Sequence, residues 1–163
     1  MNQVDLSKPE NRNFPAILRK QSIENGSGEF LVTDQRRLTF AEVDALTDQL
    51  AGGLRNIGVE PNDRVALMLS NDIEMVLLAL AINKLGAMWT PINAEYKGEW
   101  LLGNLLRCRY KVLVVDDALQ NCVAAVQNQL GNETIVLVGD INQSTLNIPI
   151  GYESLRTSEA LTV

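Results

Sequence analysis

The chain has 163 residues, of which 46% are hydrophobic and 21% charged, a balance that suits one globular domain and excludes a largely disordered polymer. Its net charge of -6 argues against nucleic acid and anionic membrane surfaces as partners, because an acidic chain gains nothing from dense phosphate. There is no histidine, which removes the commonest general base and metal ligand. The two cysteines, Cys108 and Cys122, are too few for a disulfide scaffold; they read as small packing residues and suit a reducing cytoplasm.

In chain order, residues 1–13 read as a polar arm without the apolar core of a signal peptide. Phe14, Ile17 and Leu18 begin a short helix that runs to about Ile23. A loop, Asn25-Gly26-Ser27-Gly28, leads into two short strands, Glu29 to Thr33 and Arg37 to Thr39, around the turn Asp34-Gln35-Arg36. The Gly26-Ser27-Gly28 run lacks the third glycine of a dinucleotide fingerprint and precedes a strand, so it does not read as a phosphate site.

Thr39 and Glu42 form a capping box that opens the clearest helix. Phe40, Val43, Leu46, Leu50, Leu54 and Ile57 recur every three or four residues and mark one apolar stripe. Asp44, Asp48, Gln49 and Arg55 lie off that stripe. Gly52-Gly53 weakens the helix, and a close backbone approach would account for the pair. Gly58 ends it.

Pro61-Asn62-Asp63 makes a turn before a strand from Arg64 to Leu69. Asn71, with Glu74 three residues on, is the expected cap of a helix that reaches Leu85. This helix is apolar nearly all round and should lie between layers, with Lys84 solvating its end. Its apolar run, Met75 to Ile82, is far shorter than the ~18–20 residues that cross a bilayer.

Ala87 to Ile92 reads as a strand, Lys97 to Cys108 as a helix carrying Trp100, Leu101, Leu105 and Leu106, and Lys111 to Val115 as a strand. Leu119, Cys122, Val123, Val126 and Leu130 predict an amphipathic helix closed by Gly131-Asn132. Thr134 to Val138 is the last predicted strand. Residues 141–163 read as an irregular tail with a helical hint at Tyr152 to Arg156. Apolar strands alternating with helices define an α/β class: a mostly parallel sheet with helices on both faces.

Chemistry is sparse. No glycine-rich segment ends in Gly-Lys-Ser or Gly-Lys-Thr, and no Gly-x-Ser-x-Gly elbow occurs. Asp116-Asp117 sits at the end of a strand, where ligands of such folds bind. The simpler reading is that Asp117 caps the following helix.

Two segments carry a family likeness. Leu38-Thr39-Phe40-Ala41-Glu42-Val43-Asp44, with Leu50-Ala51, Leu54 and the run Gly58 to Ala66, resembles the opening signature of the AMP-forming adenylating superfamily. Asn71, Glu74, Lys84-Leu85-Gly86-Ala87 and Thr90-Pro91-Ile92-Asn93 resemble its second signature. The stretch from Pro91 to Gly98 is most similar to acyl-CoA ligases, including the carnitine or crotonobetaine type. Asn62 departs from the usual glycine, but asparagine tolerates the left-handed turn.

The resemblance covers residues 14–140 and implies an incomplete N-terminal subdomain of the acyl-CoA synthetase fold. It implies ATP, magnesium and CoA for the complete family member: a carboxylate attacks the α-phosphate, and the CoA thiol then displaces AMP. The family's Ser/Thr/Gly-rich phosphate loop, hinge and lid have no counterpart in these residues. The resemblance therefore implies no catalytic, cofactor or metal ligand in this chain alone. Trp89, Asn93 and Tyr96, at or just after a strand end, are the candidates for a substrate pocket wall. Each also has a structural reading, as core packing, turn residue and surface cover. The implied partners are the remainder of a ligase or a second copy meeting an exposed apolar face. A stand-alone, non-catalytic partner module is the alternative.

Overall fold

The computed structural model describes residues 7–8, 12–70, 72–131, 133–157 and 159–161. A first helix, α1 (Phe14–Glu24), leads into the antiparallel pair β1 (Glu29–Val32) and β2 (Arg37–Thr39). Then follow α2 (Phe40–Asn56), β3 (Arg64–Met68), α3 (Ile73–Lys84), β4 (Met88–Pro91), α4 (Gly98–Cys108), β5 (Val112–Asp116), α5 (Gln120–Ala124), β6 (Thr134–Val138), β7 (Ile150–Gly151) and α6 (Tyr152–Arg156). Strands β3 to β7 form one parallel sheet in the order β4-β3-β5-β6-β7.

Each strand's side chains alternate between two cores, as the two-residue period of a strand demands. Val65, Leu67, Val112, Val114 and Val136 face α2, α3 and α6, where they meet Leu50, Leu54, Leu77, Leu78 and Leu155. Ala66, Met68, Leu113, Val115, Ile135 and Leu137 face α4 and α5, against Leu101, Leu105 and Val123. With apolar side chains on both faces, the central strands cannot sit at a surface. The expected α/β architecture is therefore present, with helices on both sides.

The capping box of α2 forms as its sequence predicts. Thr39 Oγ1 accepts from the Glu42 N–H (3.2 Å), and Glu42 Oε2 accepts from the Thr39 N–H (2.8 Å). That hydrogen bond, made by the charged form, holds the Glu42 carboxyl below its ordinary range. Thr39→Ala should lower stability in urea by about 1 kcal/mol. A carboxyl whose folded pKa is depressed stabilises at neutral pH, and this contribution disappears as acid protonates it. Thr39→Ala keeps the backbone donor but removes the hydroxyl, which also donates to Glu42 Oε2 (2.8 Å), so its penalty should shrink as pH falls through the carboxylate range; a penalty that grows in acid would contradict the pairing.

Asn62 adopts φ 70°, the left-handed turn conformation expected of an asparagine replacing glycine. The glycine pair in α2 is also explained. A Cβ on Gly53 would stand 2.6 Å from Leu155 Cα, and one on Gly52 would collide with the Glu159 carbonyl oxygen. The backbone after β7 thus lies directly on α2.

Four expectations need correction. The cap of α3 is Asp72, whose Oδ1 accepts from the Ile73 N–H; Asn71 lies outside the described residues. The predicted helix from Leu119 to Leu130 is broken into short turns around α5. Its amides reach out instead: Gln120 Oε1 accepts from the Thr145 N–H (2.9 Å), and Gln127 brackets the Asn147 backbone through both amide atoms. Such side-chain bonds compete with a regular helix. Residues 141–161 are not simply irregular, since β7 pairs with Val136 and Leu137 and α6 buries Tyr152 and Leu155. Lys84 does not solvate a helix end, because its side chain is 3% exposed.

Candidate functional site

In the order β4-β3-β5-β6-β7 the chain leaves β3 for one neighbour and returns on the other side. The carboxyl ends of β3 and β5 therefore flank the switch point, where open α/β sheets hold ligands. Beyond β3 the Ser70 N–H donates to Asp116 Oδ2 at 3.1 Å, closing the gap. Asp116 Oδ1 also accepts from the Ala118 N–H (3.4 Å) and caps the turn that follows β5. The expected cap, Asp117, instead accepts from the Gln120 side-chain amide. At the end of β6, Asp140 accepts from the Asn142 N–H, the Asn142 side chain and Gln143 Nε2. These bonds, the backbone one foremost, hold the Asp140 carboxyl below its ordinary range. Gly139 between them leaves no room for a side chain, since a Cβ there would stand 2.5 Å from Asp117 Cβ.

The edge thus presents Ser70, Asp116, Asp117 and Asp140. Three carboxylates repel a nucleotide phosphate, and each is occupied in holding the local backbone or a neighbouring amide. These residues do not fit the phosphates of ATP. No group of three or more acidic, histidine or cysteine side chains among the described residues could hold a metal ion.

The three proposed wall residues do not converge. Asn93 is exposed and its Oδ1 accepts from the Glu95 N–H (2.9 Å), a turn role. Tyr96 follows in the same turn, with its N–H donating to the Asn93 carbonyl (3.1 Å), and packs against the α4–α5 core. Trp89 is 40% exposed and its register partner Val65 faces the opposite core. With Phe14, Met75, Val76 and Leu80 it lines a shallow apolar cavity of 240 Å³.

Two features escaped the sequence reading. Lys84 Nζ donates to Asp44 Oδ1 (2.7 Å), Asp48 Oδ1 (2.6 Å) and the Asp44 carbonyl (2.9 Å). Arg19 joins the other oxygens of the same two carboxylates at 2.6 and 2.8 Å. These bonds, led by the one to Asp48, hold the Arg19 guanidinium above its ordinary value. The network staples α1, α2 and α3 together. The available signal was the i, i+4 spacing of Asp44 and Asp48, with Lys84 as the one basic residue of an apolar helix. The second feature is Tyr152. Its hydroxyl is buried without a hydrogen-bond partner among the described residues, and burial raises its pKa, with Glu74 adding to the effect.

No helix of the described residues is long and apolar enough to cross a membrane. A family model described as "AMP-binding enzyme" matches residues 18–156. Tyrocidine synthase 3 of Brevibacillus parabrevis is 29% identical over 111 residues, 68% of this chain and 2% of that protein. N-(5-amino-5-carboxypentanoyl)-L-cysteinyl-D-valine synthase of Penicillium chrysogenum is 27% identical over 141 residues, 86% of this chain and 4% of that protein. Among solved structures, the anthranilate CoA ligase AuaEII in complex with anthranoyl-AMP superposes with a TM-score of 0.83 at 25% identity, over 93% of this chain and 29% of that one. A benzoate CoA ligase from Burkholderia xenovorans LB400 shares the fold, with a TM-score of 0.79 at 17% identity, over 91% of this chain and 29% of that one. The chain therefore spans a few hundredths of the curated relatives and under a third of these ligases. The match over residues 18–156, together with the parallel sheet shared with the CoA ligases, shows that the chain belongs to the AMP-binding enzyme family and folds as the N-terminal part of its adenylate-forming domain.

Proposed function

We propose that these residues form the amino-terminal scaffold of an adenylate-forming ligase that joins a carboxylic acid to CoA, and that they are catalytically incomplete alone. The observation that carries the reading is the family match over residues 18–156, on a fold shared with a ligase holding an acyl-adenylate. ATP with magnesium supplies the activating chemistry in that reaction class. The residues of this chain build the sheet, stack α1, α2 and α3 on it, and hold the carboxyl edge rigid through the Asp116 and Asp140 caps. The remainder of such an enzyme is the natural cover for Phe14, Val76 and Trp89, which are 38–64% exposed around one apolar cavity beside α3. Two free cysteines suit a cytoplasmic setting.

A second reading has its own support. The curated relatives cited above are peptide synthases, which favours an amino acid as the carboxylate activated and a different acceptor in place of CoA.

ATP–pyrophosphate exchange tests catalytic incompleteness. The purified chain, offered fatty, aromatic and amino acids in turn with magnesium, should give no exchange above the protein-free blank. Exchange that depends on any of these acids would overturn the scaffold reading and would name the substrate class at once.

A further inference from the structure

The outer face of α4 is uncovered, and its side chains follow a pattern that a two-fold axis would use. Trp100 is 77% exposed and Leu106 55%. Glu99 and Arg107 are exposed as well, and neither side chain is engaged in an ion pair among the described residues. Between them lies Gly103, where an added Cβ would meet no atom within 4 Å. Glycine weakens a helix interior, and nothing within this fold requires one here. Glu99, Trp100, Gly103, Asn104 and Arg107 line a notch of 200 Å³, with Asn104 folded back onto the Trp100 carbonyl (2.8 Å).

The positions are symmetric about Gly103. Glu99 stands four residues before it and Arg107 four after; Trp100 stands three before and Leu106 three after. Residues three and four apart share a helix face. We propose that this face is a homodimer interface, in which two copies of α4 cross antiparallel at Gly103.

A two-fold axis through that point sets Glu99 against the partner's Arg107 and, by symmetry, Arg107 against the partner's Glu99. Trp100 meets the partner's Leu106 on both sides. The missing side chain at Gly103 lets the two backbones approach closely. An isologous interface requires that a patch complement itself, and opposite charges at mirrored positions around a glycine meet that requirement. A parallel arrangement fails, because it would set Glu99 against the partner's Glu99. The apolar cavity beside Trp89 shows no such charge pattern. The proposal is independent of the reaction assigned above, so its failure would leave the family reading untouched.

Sedimentation equilibrium of the full chain over a range of concentrations tests it. The wild type should show a reversible monomer–dimer equilibrium that weakens as salt is added. Arg107→Glu and Glu99→Arg should each raise the dissociation constant by about tenfold or more, because each sets like charges across the axis. The double variant Glu99→Arg/Arg107→Glu restores opposite charges and should recover dimerisation. Circular dichroism of all three variants should match that of the wild type, since the sites are exposed enough to tolerate the change. A wild type that stays monomeric throughout would overturn the proposal. So would a dimer indifferent to the single reversals, which would place the contact elsewhere, for instance beside Trp89. A folded double variant that stays as weak as the singles would overturn it too.

Discussion

Replacing Lys84 with alanine should lower the free energy of unfolding by about 3–5 kcal/mol, the range seen when one partner leaves a buried ion pair. The lysine side chain is 3% exposed, as is that of Asp44, and that of Asp48 is 12% exposed. Without the ammonium, two carboxylates remain close together with little access to water. Arg19 cannot compensate fully: its side chain is 42% exposed, and it reaches only the outer oxygens. Arg19→Ala should therefore cost less than Lys84→Ala. The triple replacement of Asp44, Asp48 and Lys84 by leucine should recover most of the loss, because well-packed apolar groups commonly match a buried ion network in stability. Urea denaturation of the three variants decides the matter. A Lys84→Ala cost below that of Arg19→Ala would show that the network is not the staple described here.

Gly53→Val should destabilise by about 3 kcal/mol, at the upper end for overpacking. The added Cβ would stand 2.6 Å from Leu155 Cα and 2.8 Å from Leu155 C, and these are backbone atoms that cannot rotate aside. The segment carrying β7 and α6 must lift from α2, and Leu155, which is 1% exposed, then loses its burial. Hydrogen exchange should locate the damage: amides of α6 and the pairing of β7 with β6 lose protection first, while β3 and β5 keep theirs. Uniform loss of protection, or a variant as stable as wild type, would contradict the close packing of these two segments.

The same two cases mark how far the sequence could be read. The cap at Thr39, the stripe of α2 and the alternation of apolar strands with helices rest on residues a few positions apart, and each appears as expected. The role of Gly52-Gly53 was legible only as a need for close approach; the partner, Leu155 to Glu159, lies a hundred residues on. Lys84 reads locally as a solvated helix end, and only the stacking of α3 on α2 brings it to Asp44. Strand β7 has two residues, too few to show any period. At the carboxyl edge the acids at 116 and 117 were visible, but which one caps depends on the distant Ser70 amide. Trp89 lies on the α3 side of the sheet and Tyr96 on the α4–α5 side, a separation that neighbouring positions in the sequence do not reveal. The α4 pattern around Gly103 was present in the sequence, but it gains meaning only once that face is known to be uncovered.

In the function proposed above, these residues scaffold an adenylating site without themselves cradling the nucleotide. Titration calorimetry of the chain with magnesium ATP, and separately with AMP, tests this most directly. Neither ligand should give saturable heat, given the carboxylates at the switch point. Saturable one-to-one binding of ATP that is lost in Asp116→Ala or Ser70→Pro would contradict it, because the edge closed by the Ser70–Asp116 hydrogen bond would then be a nucleotide site after all.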